Sequence, residues 1–236
     1  MVYVQEFLGV RKAVAMRGCV IIPAYNEEMR IGHIVCEIKA KGLDCLVIDD
    51  GSSDKTRKIA EREGASVISH PVNLGKGTSL RDGFRRIMDG GYDFIITMDG
   101  DGQHHPDEIG NFIKAAEEND AEIILGNRMY SPKDMPLRRR LTNWFMSTLI
   151  SAIARQDIPD SQCGFRLVRT GVLKAIPLTT NKYEIESEVL IEASRAGFKI
   201  RSIPIKSIYR GQKSRIRPVV DTIRFISFIL RKGIRR

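Results

Sequence analysis

Phe94-Ile95-Ile96-Thr97-Met98-Asp99-Gly100-Asp101-Gly102-Gln103-His104 sets an apolar run directly before two carboxylates on a glycine-flanked turn. A short run apolar on both faces predicts a strand covered from both sides, as in a parallel sheet. The same pattern recurs outward from it. Cys19-Val20-Ile21-Ile22, Cys45-Leu46-Val47-Ile48, residues 65–69 and Ile123-Ile124-Leu125 read as further strands. Helices are expected between them, at about 27–41, from a cap at Ser53 or Asp54 to near Gly64, through Leu80, Phe84 and Ile87, and from Pro106 onward. Strands alternating with helices specify an α/β fold with a mostly parallel, Rossmann-like central sheet flanked by helices.

After residue 128 the rhythm changes. A basic loop leads to a long helix at 137–155, then a strand at 165–169 and a helix at 185–196. Two short strands are expected between 199 and 208, and a basic amphipathic helix at 218–236. The expected layout is an extension at 1–18 and one catalytic domain at 19–217, divided into halves at 19–128 and 129–217, followed by the terminal helix.

The 236 residues carry 38 Lys and Arg against 29 Asp and Glu, a formal charge of +9 that favours anionic partners. Cys19, Cys36, Cys45 and Cys163 form no metal-ligand spacing, so buried free thiols in a reducing compartment are expected. No signal-peptide run opens the chain and no apolar window is long enough to span a bilayer. A cytoplasmic protein, peripherally associated with the membrane, is the expectation.

Ligands of open α/β sheets bind beyond the carboxyl ends of the strands. Four such ends are polar here: Pro23-Ala24-Tyr25-Asn26-Glu27, Asp49 to Asp54, Asp99 to His104, and Gly126-Asn127-Arg128. Asp99 and Asp101, two residues apart, can share one hard cation, Mg²⁺ or Mn²⁺, with Gln103 or His104 completing the shell. Gly100 and Gly102 ease the bend. Asn73-Leu74-Gly75-Lys76-Gly77-Thr78 is a glycine-rich turn opening a helix, suited to phosphate or base.

Residues 20–27, 47–54, 73–77 and 98–104, in that order and with Ser161-Gln162-Cys163-Gly164-Phe165-Arg166 behind them, resemble glycosyltransferase family 2, and the last segment resembles its dolichol-phosphate mannose synthase branch. The resemblance covers about residues 19–215. It implies a GT-A fold and inverting transfer from a nucleotide-diphosphate sugar of the GDP-mannose or UDP-glucose type. By position, Pro23, Ala24, Tyr25, Glu27, Asp50, Gly75, Lys76, Asp99, Gly100 and Asp101 would hold the donor, and Asp99, Asp101 and Gln103 the metal. The catalytic set would be Asp99, Asp101, Arg128 and Arg166. Arg128, Arg140, Arg166, Arg210 and Lys213 would meet the phosphate of a polyprenyl (dolichyl) acceptor. Gly211-Gln212-Lys213-Ser214 departs from the family's Gly-x-Ser-Lys order.

A phosphate acceptor is already ionised and needs cations for positioning; a hydroxyl acceptor needs a base. Glu184, Glu186 and Glu188 offer one, although a solvated glutamate face is the plainer expectation for that helix. The helix at 137–155, with three arginines and Trp144, and the terminal helix suit a membrane surface or a membrane-anchoring partner. Two other classes also fit paired aspartates or a basic charge: a nucleotidyltransferase, and a nucleic-acid-binding module. No recognition-helix signature supports the second, and no nucleic-acid partner is expected.

Overall fold

The structure, a computed structural model, describes residues 16–118, 120–132, 135–206 and 224–230. Strand β1 (Gly18–Ala24) is followed by α1 (Ile31–Ala40), β2 (Asp44–Asp49), α2 (Thr56–Arg62), β3 (Ser66–Ser69) and α3 (Lys76–Met88). Next come β4 (Phe94–Thr97), α4 (Ile109–Glu118), β5 (Ile123–Asn127), α5 (Leu137–Ala154), β6 (Arg166–Arg169), α6 (Thr170–Ala175), α7 (Ile185–Arg195) and β7 (Ile200–Pro204). Residues 224–230 are helical.

All seven strands form one sheet in the order β3-β2-β1-β4-β6-β5-β7. It is parallel except for β6, which runs antiparallel to both β4 and β5. The second half of the chain therefore inserts its strand between two strands of the first. The central runs are sealed as their composition requires: Val20, Ile21, Ile22, Ile95, Ile96, Ile123, Ile124 and Leu125 are fully buried.

Element ends differ from expectation for local reasons. Residues 27–30 form a turn, with the Glu27 carbonyl accepting the Arg30 and Ile31 amides, so α1 begins four residues late. Pro106–Glu108 forms a separate tight turn ahead of α4. Neither Ser53 nor Asp54 takes the N-cap position of α2, which falls to Lys55; Asp54, one residue earlier, accepts the Thr56 amide at 2.9 Å and the Glu28 amide at 3.1 Å. α6, only six residues long, is too short for a periodic signal. One strand, β7, stands where two were expected; residues 207 and 208 lie outside the described residues.

Cys19, Cys45 and Cys163 are buried free thiols, whereas Cys36 faces solvent on the outer side of α1, against expectation. Burial pushes the Cys19 and Cys163 thiols up to about 12. At pH 8, iodoacetamide is expected to label Cys36 on the native protein and the three others only after denaturation, read by peptide mass spectrometry.

Candidate functional site

Parallel β2, β1 and β4 lie side by side, so their carboxyl ends deliver residues 49–54, 23–27 and 99–104 to one rim. Because β6 runs the other way, its first residue, Arg166, pairs with Thr97 of β4 and Leu125 of β5. That antiparallel insertion brings the segment 161–166 to the same rim.

The centre of the rim is a charge cluster. Lys76 Nζ, at the start of α3, lies 2.5 Å from Asp99 Oδ1 and 2.8 Å from Glu186 Oε1 of α7. Burial alone would push the lysine down, but the two carboxylates outweigh it and hold its pKa above the ordinary value. Burial likewise opposes charge on Asp99, yet Lys76, with help from His104 and Arg128, holds that carboxyl well below the usual range. Asp101 is shifted the other way, raised first by burial and then by the neighbouring Asp99 charge. It accepts the Gln103 backbone amide at 3.0 Å and the Gln103 side chain at 2.7 Å. Gly164 passes directly over this cluster: a Cβ there would meet Asp99 Oδ2 at 2.8 Å and Glu186 Oε1 at 2.9 Å.

His104 is buried, its ring 5.2 Å from Phe165 and its Nε2 4.0 Å from Cys163 Sγ. Burial lowers its pKa to about 4, so it is neutral at physiological pH. It faces the core rather than joining Gln103 beside Asp101.

Asp50 is already engaged: its two oxygens accept the Leu74 amide at 2.9 Å and the Gly75 amide at 2.8 Å. His70 bridges Asp50 at 2.8 Å and Asp82 at 3.2 Å. The carboxylate thus ties β2 to the glycine-rich turn. Pro23 and Tyr25 are half-buried at the rim; Ala24 and Glu27 are buried beneath it.

The arginines divide. Arg128 is buried and pairs bidentately with the fully buried Asp160, at 2.8 and 2.9 Å. Arg166 is also buried and donates to the carbonyls of Cys163 and Ser161 at 2.7 Å and of Glu186 at 2.5 Å. Both frame the rim from within. Arg140 is exposed and lines a cavity of about 320 Å³ with Pro132, Met135 and Leu137. Arg210 and Lys213 lie outside the described residues.

The solvated glutamate face expected on α7 is overturned. Glu188 is fully buried, and the Glu186 side chain is 11% exposed and ion-paired. The overlooked signal was the run Ile185, Val189, Leu190 and Ile191, which is apolar around the whole helix. α5 is inverted in the opposite sense. It buries Asn143, Ser147, Ile150 and Ala154, and turns Leu137, Leu141, Trp144 and Phe145 outward at 57–68% exposure. In the helix at 224–230, Phe225 and Phe228 pack into the core while Ile226 and Leu230 are exposed.

Among the described residues, no group of three or more His, Cys, Asp and Glu makes a ready metal cage. The donor set of Asp99 and Asp101 still suits Mg²⁺ or Mn²⁺, which typically bind through one or two carboxylates and complete their shell with substrate phosphates. The charge repulsion that raises Asp101 is what a cation would relieve.

The family model "Glycosyl transferase family 2" matches residues 19–176. The UDP-N-acetylglucosamine–dolichyl-phosphate N-acetylglucosaminyltransferase of Methanococcus voltae is 33% identical over 212 residues, covering 80% of this chain and 84% of its own. The polyprenol monophosphomannose synthase of Mycolicibacterium smegmatis is 28% identical over 204 residues, covering 80% and 76%. Among solved structures, the glucosyl-3-phosphoglycerate synthase of Mycobacterium tuberculosis, in complex with Mn²⁺, UDP-glucose and phosphoglyceric acid, superposes with a TM-score of 0.68. It is 19% identical and covers 93% of this chain and 80% of its own, a likeness of fold. A seven-stranded sheet with one reversed strand, carrying Asp99-Gly100-Asp101 beyond β4, is in this chain the GT-A fold. The matched stretch spans the sheet from β1 to β6 and most of the rim built on it, and the chain is accordingly a glycosyltransferase that belongs to family 2.

Proposed function

We propose that this enzyme moves a hexose from a nucleotide-diphosphate sugar to a polyprenyl phosphate at a membrane surface. The observation that carries this is the opposed pair of carboxylates beyond β4, Asp99 clamped by a lysine and Asp101 left with raised proton affinity. Bound there, Mg²⁺ or Mn²⁺ would supply Lewis-acid stabilisation of the departing diphosphate. The protein's own groups do the rest. Pro23, Tyr25 and the Asp50-braced turn at 74–77 form the donor wall. Lys76 holds Asp99 ionised, and Gly164 leaves room for the Asp99 and Glu186 carboxylates beside it. Arg128 and Arg166 fix the loops around that space.

The acceptor side favours phosphate. Glu186 commits one oxygen to Lys76 at 2.8 Å, which leaves only the other to act as a base. A phosphate is already anionic and needs only positive charge, which Arg138, Arg139 and Arg140 offer at the start of α5, with Arg210 and Lys213 further along the chain. Two relatives are named as transferases to dolichyl phosphate or as a polyprenol monophosphomannose synthase, in keeping with that acceptor. Purified protein should convert labelled GDP-mannose or UDP-glucose, with Mn²⁺ and a short polyprenyl phosphate, into lipid-extractable product. Label appearing only in water-soluble glycan would sink the lipid acceptor.

No helix among the described residues is long and apolar enough to cross a membrane. The outward face of α5 is the contact surface we assign to the headgroup layer: a Leu, Leu, Trp, Phe stripe beside three arginines, matching apolar depth below and anionic charge above. Trp144 is the chain's sole tryptophan, so its fluorescence reports directly. Anionic vesicles should shift it to the blue. Phe145→Ser should weaken vesicle binding about tenfold, taking about 1.5 kcal/mol for an incompletely buried ring. An unshifted spectrum would remove α5 from the membrane contact.

A further inference from the structure

We propose that Glu188 is a positioning residue for sugar transfer: it anchors a strap at 179–182 that clamps the glycine-rich turn and so fixes Lys76 between Asp99 and Glu186. This rests on the proposal that the donor meets that turn.

Glu188 is fully buried on α7, two residues beyond Glu186. Its Oε2 accepts the amides of Thr179 and Thr180, each at 2.9 Å, and the Thr180 hydroxyl at 2.8 Å. Its Oε1 accepts the Thr179 hydroxyl at 2.6 Å. A buried carboxylate is tolerated only when its acceptor capacity is filled, and here one short segment fills it with four donors. An aliphatic side chain there would leave those four donors without their acceptor. What the carboxylate adds is direction: it specifies one conformation of the segment that follows.

That segment reaches across to the first half of the chain. The Asn181 carbonyl accepts the Thr78 amide at 3.2 Å, and Lys182 Nζ donates to the Leu74 carbonyl at 2.7 Å. Asn181 Oδ1 also accepts from Arg81 at 2.5 Å. The approach is close enough to require glycine on the turn. A Cβ on Gly77 would meet the Asn181 carbonyl carbon at 2.4 Å, and Gly75, at φ +99°, is covered by the Lys182 side chain. Lys76 sits between these two glycines. Its ammonium therefore takes its place from the strap on one side and from Glu186, on the same helix as the anchor, on the other.

The test uses the whole chain and three variants: Glu188→Gln, Thr180→Val and Lys182→Met. Lys182 lies towards the surface, so its replacement leaves folding intact even where a change at buried Glu188 does not. Hydrogen exchange is read on the peptide spanning 73–80, with and without UDP-glucose or GDP-mannose and Mn²⁺, beside KM and kcat for the donor. Expected is exchange accelerated about tenfold or more in each variant. The donor KM should rise about fivefold while kcat changes less than about twofold. Donor that protects 73–80 in the unmodified protein, with variants indistinguishable from it in exchange or in KM, overturns the strap alone. Failure of any donor to protect 73–80 overturns donor binding at the turn, and the proposal with it.

Discussion

Asp101→Ala is expected to lower transfer by at least about a thousandfold, the scale of several kcal/mol of lost charge stabilisation on the leaving diphosphate. Asp99 alone cannot take over, since one of its oxygens is held by Lys76. The same variant should not lose stability. Asp101 has a folded-state pKa raised above its unfolded value, so its stabilising contribution belongs to the protonated form. That contribution is present below the unfolded pKa and disappears as pH rises through the folded one. At neutral pH the second carboxylate beside Asp99 is held against repulsion, and removing it relieves the strain. Melting temperature in metal-free buffer should therefore stay level or rise, while Mn²⁺-dependent donor binding by calorimetry is lost. Full transfer by Asp101→Ala would remove the residue from the mechanism. A collapse in stability would show instead that the aspartate holds the turn together.

Arg128→Met is expected to cost about 3–5 kcal/mol, because it strands the Asp160 carboxylate without its cation at a fully buried position. For a chain of this size that is a fall of about 10 °C in melting temperature. Arg128→Met with Asp160→Leu should recover much of the loss, since an apolar pair of similar volume leaves no orphaned charge. Calorimetry on the two single variants and the double gives the coupling directly. If Arg128→Met melts with the parent yet fails only in acceptor binding, the guanidinium belongs to the acceptor phosphate, as its position in the sequence suggested, and the pair with Asp160 is incidental.

The sheet was legible because its strands announce themselves. Four runs of consecutive aliphatic residues can be buried on both faces only in a covered parallel sheet, and a turn rich in Asp and Gly after such a strand lies at the ligand-binding edge. Asp99 and Asp101 are legible on that basis and Lys76 from the glycine-rich turn that opens a helix, and the structure brings them together. Glu186 was named but set beside a plainer expectation, because a glutamate on a helix is normally solvated and only the packing around α7 removes it from water. For Arg128 and Arg166 the family resemblance implies an anionic partner, the acceptor phosphate. The protein groups they bond in the structure, among them Asp160 and three backbone carbonyls, come from segments whose approach no local pattern encodes.

Uninterrupted apolar runs alternating with helical segments, and the chemistry at strand ends, determined by themselves the fold class, the position of the rim and the two aspartates on it. Those properties are local: each depends on neighbours within a few residues along the chain. The reversed course of β6, the pairing of Lys76 with Glu186 across 110 residues, the outward turn of the large α5 side chains and the strap on the glycine-rich turn were decided by tertiary structure alone. Each depends on which distant groups fill a buried side chain's bonding capacity, and that becomes defined only once the chain has closed on itself.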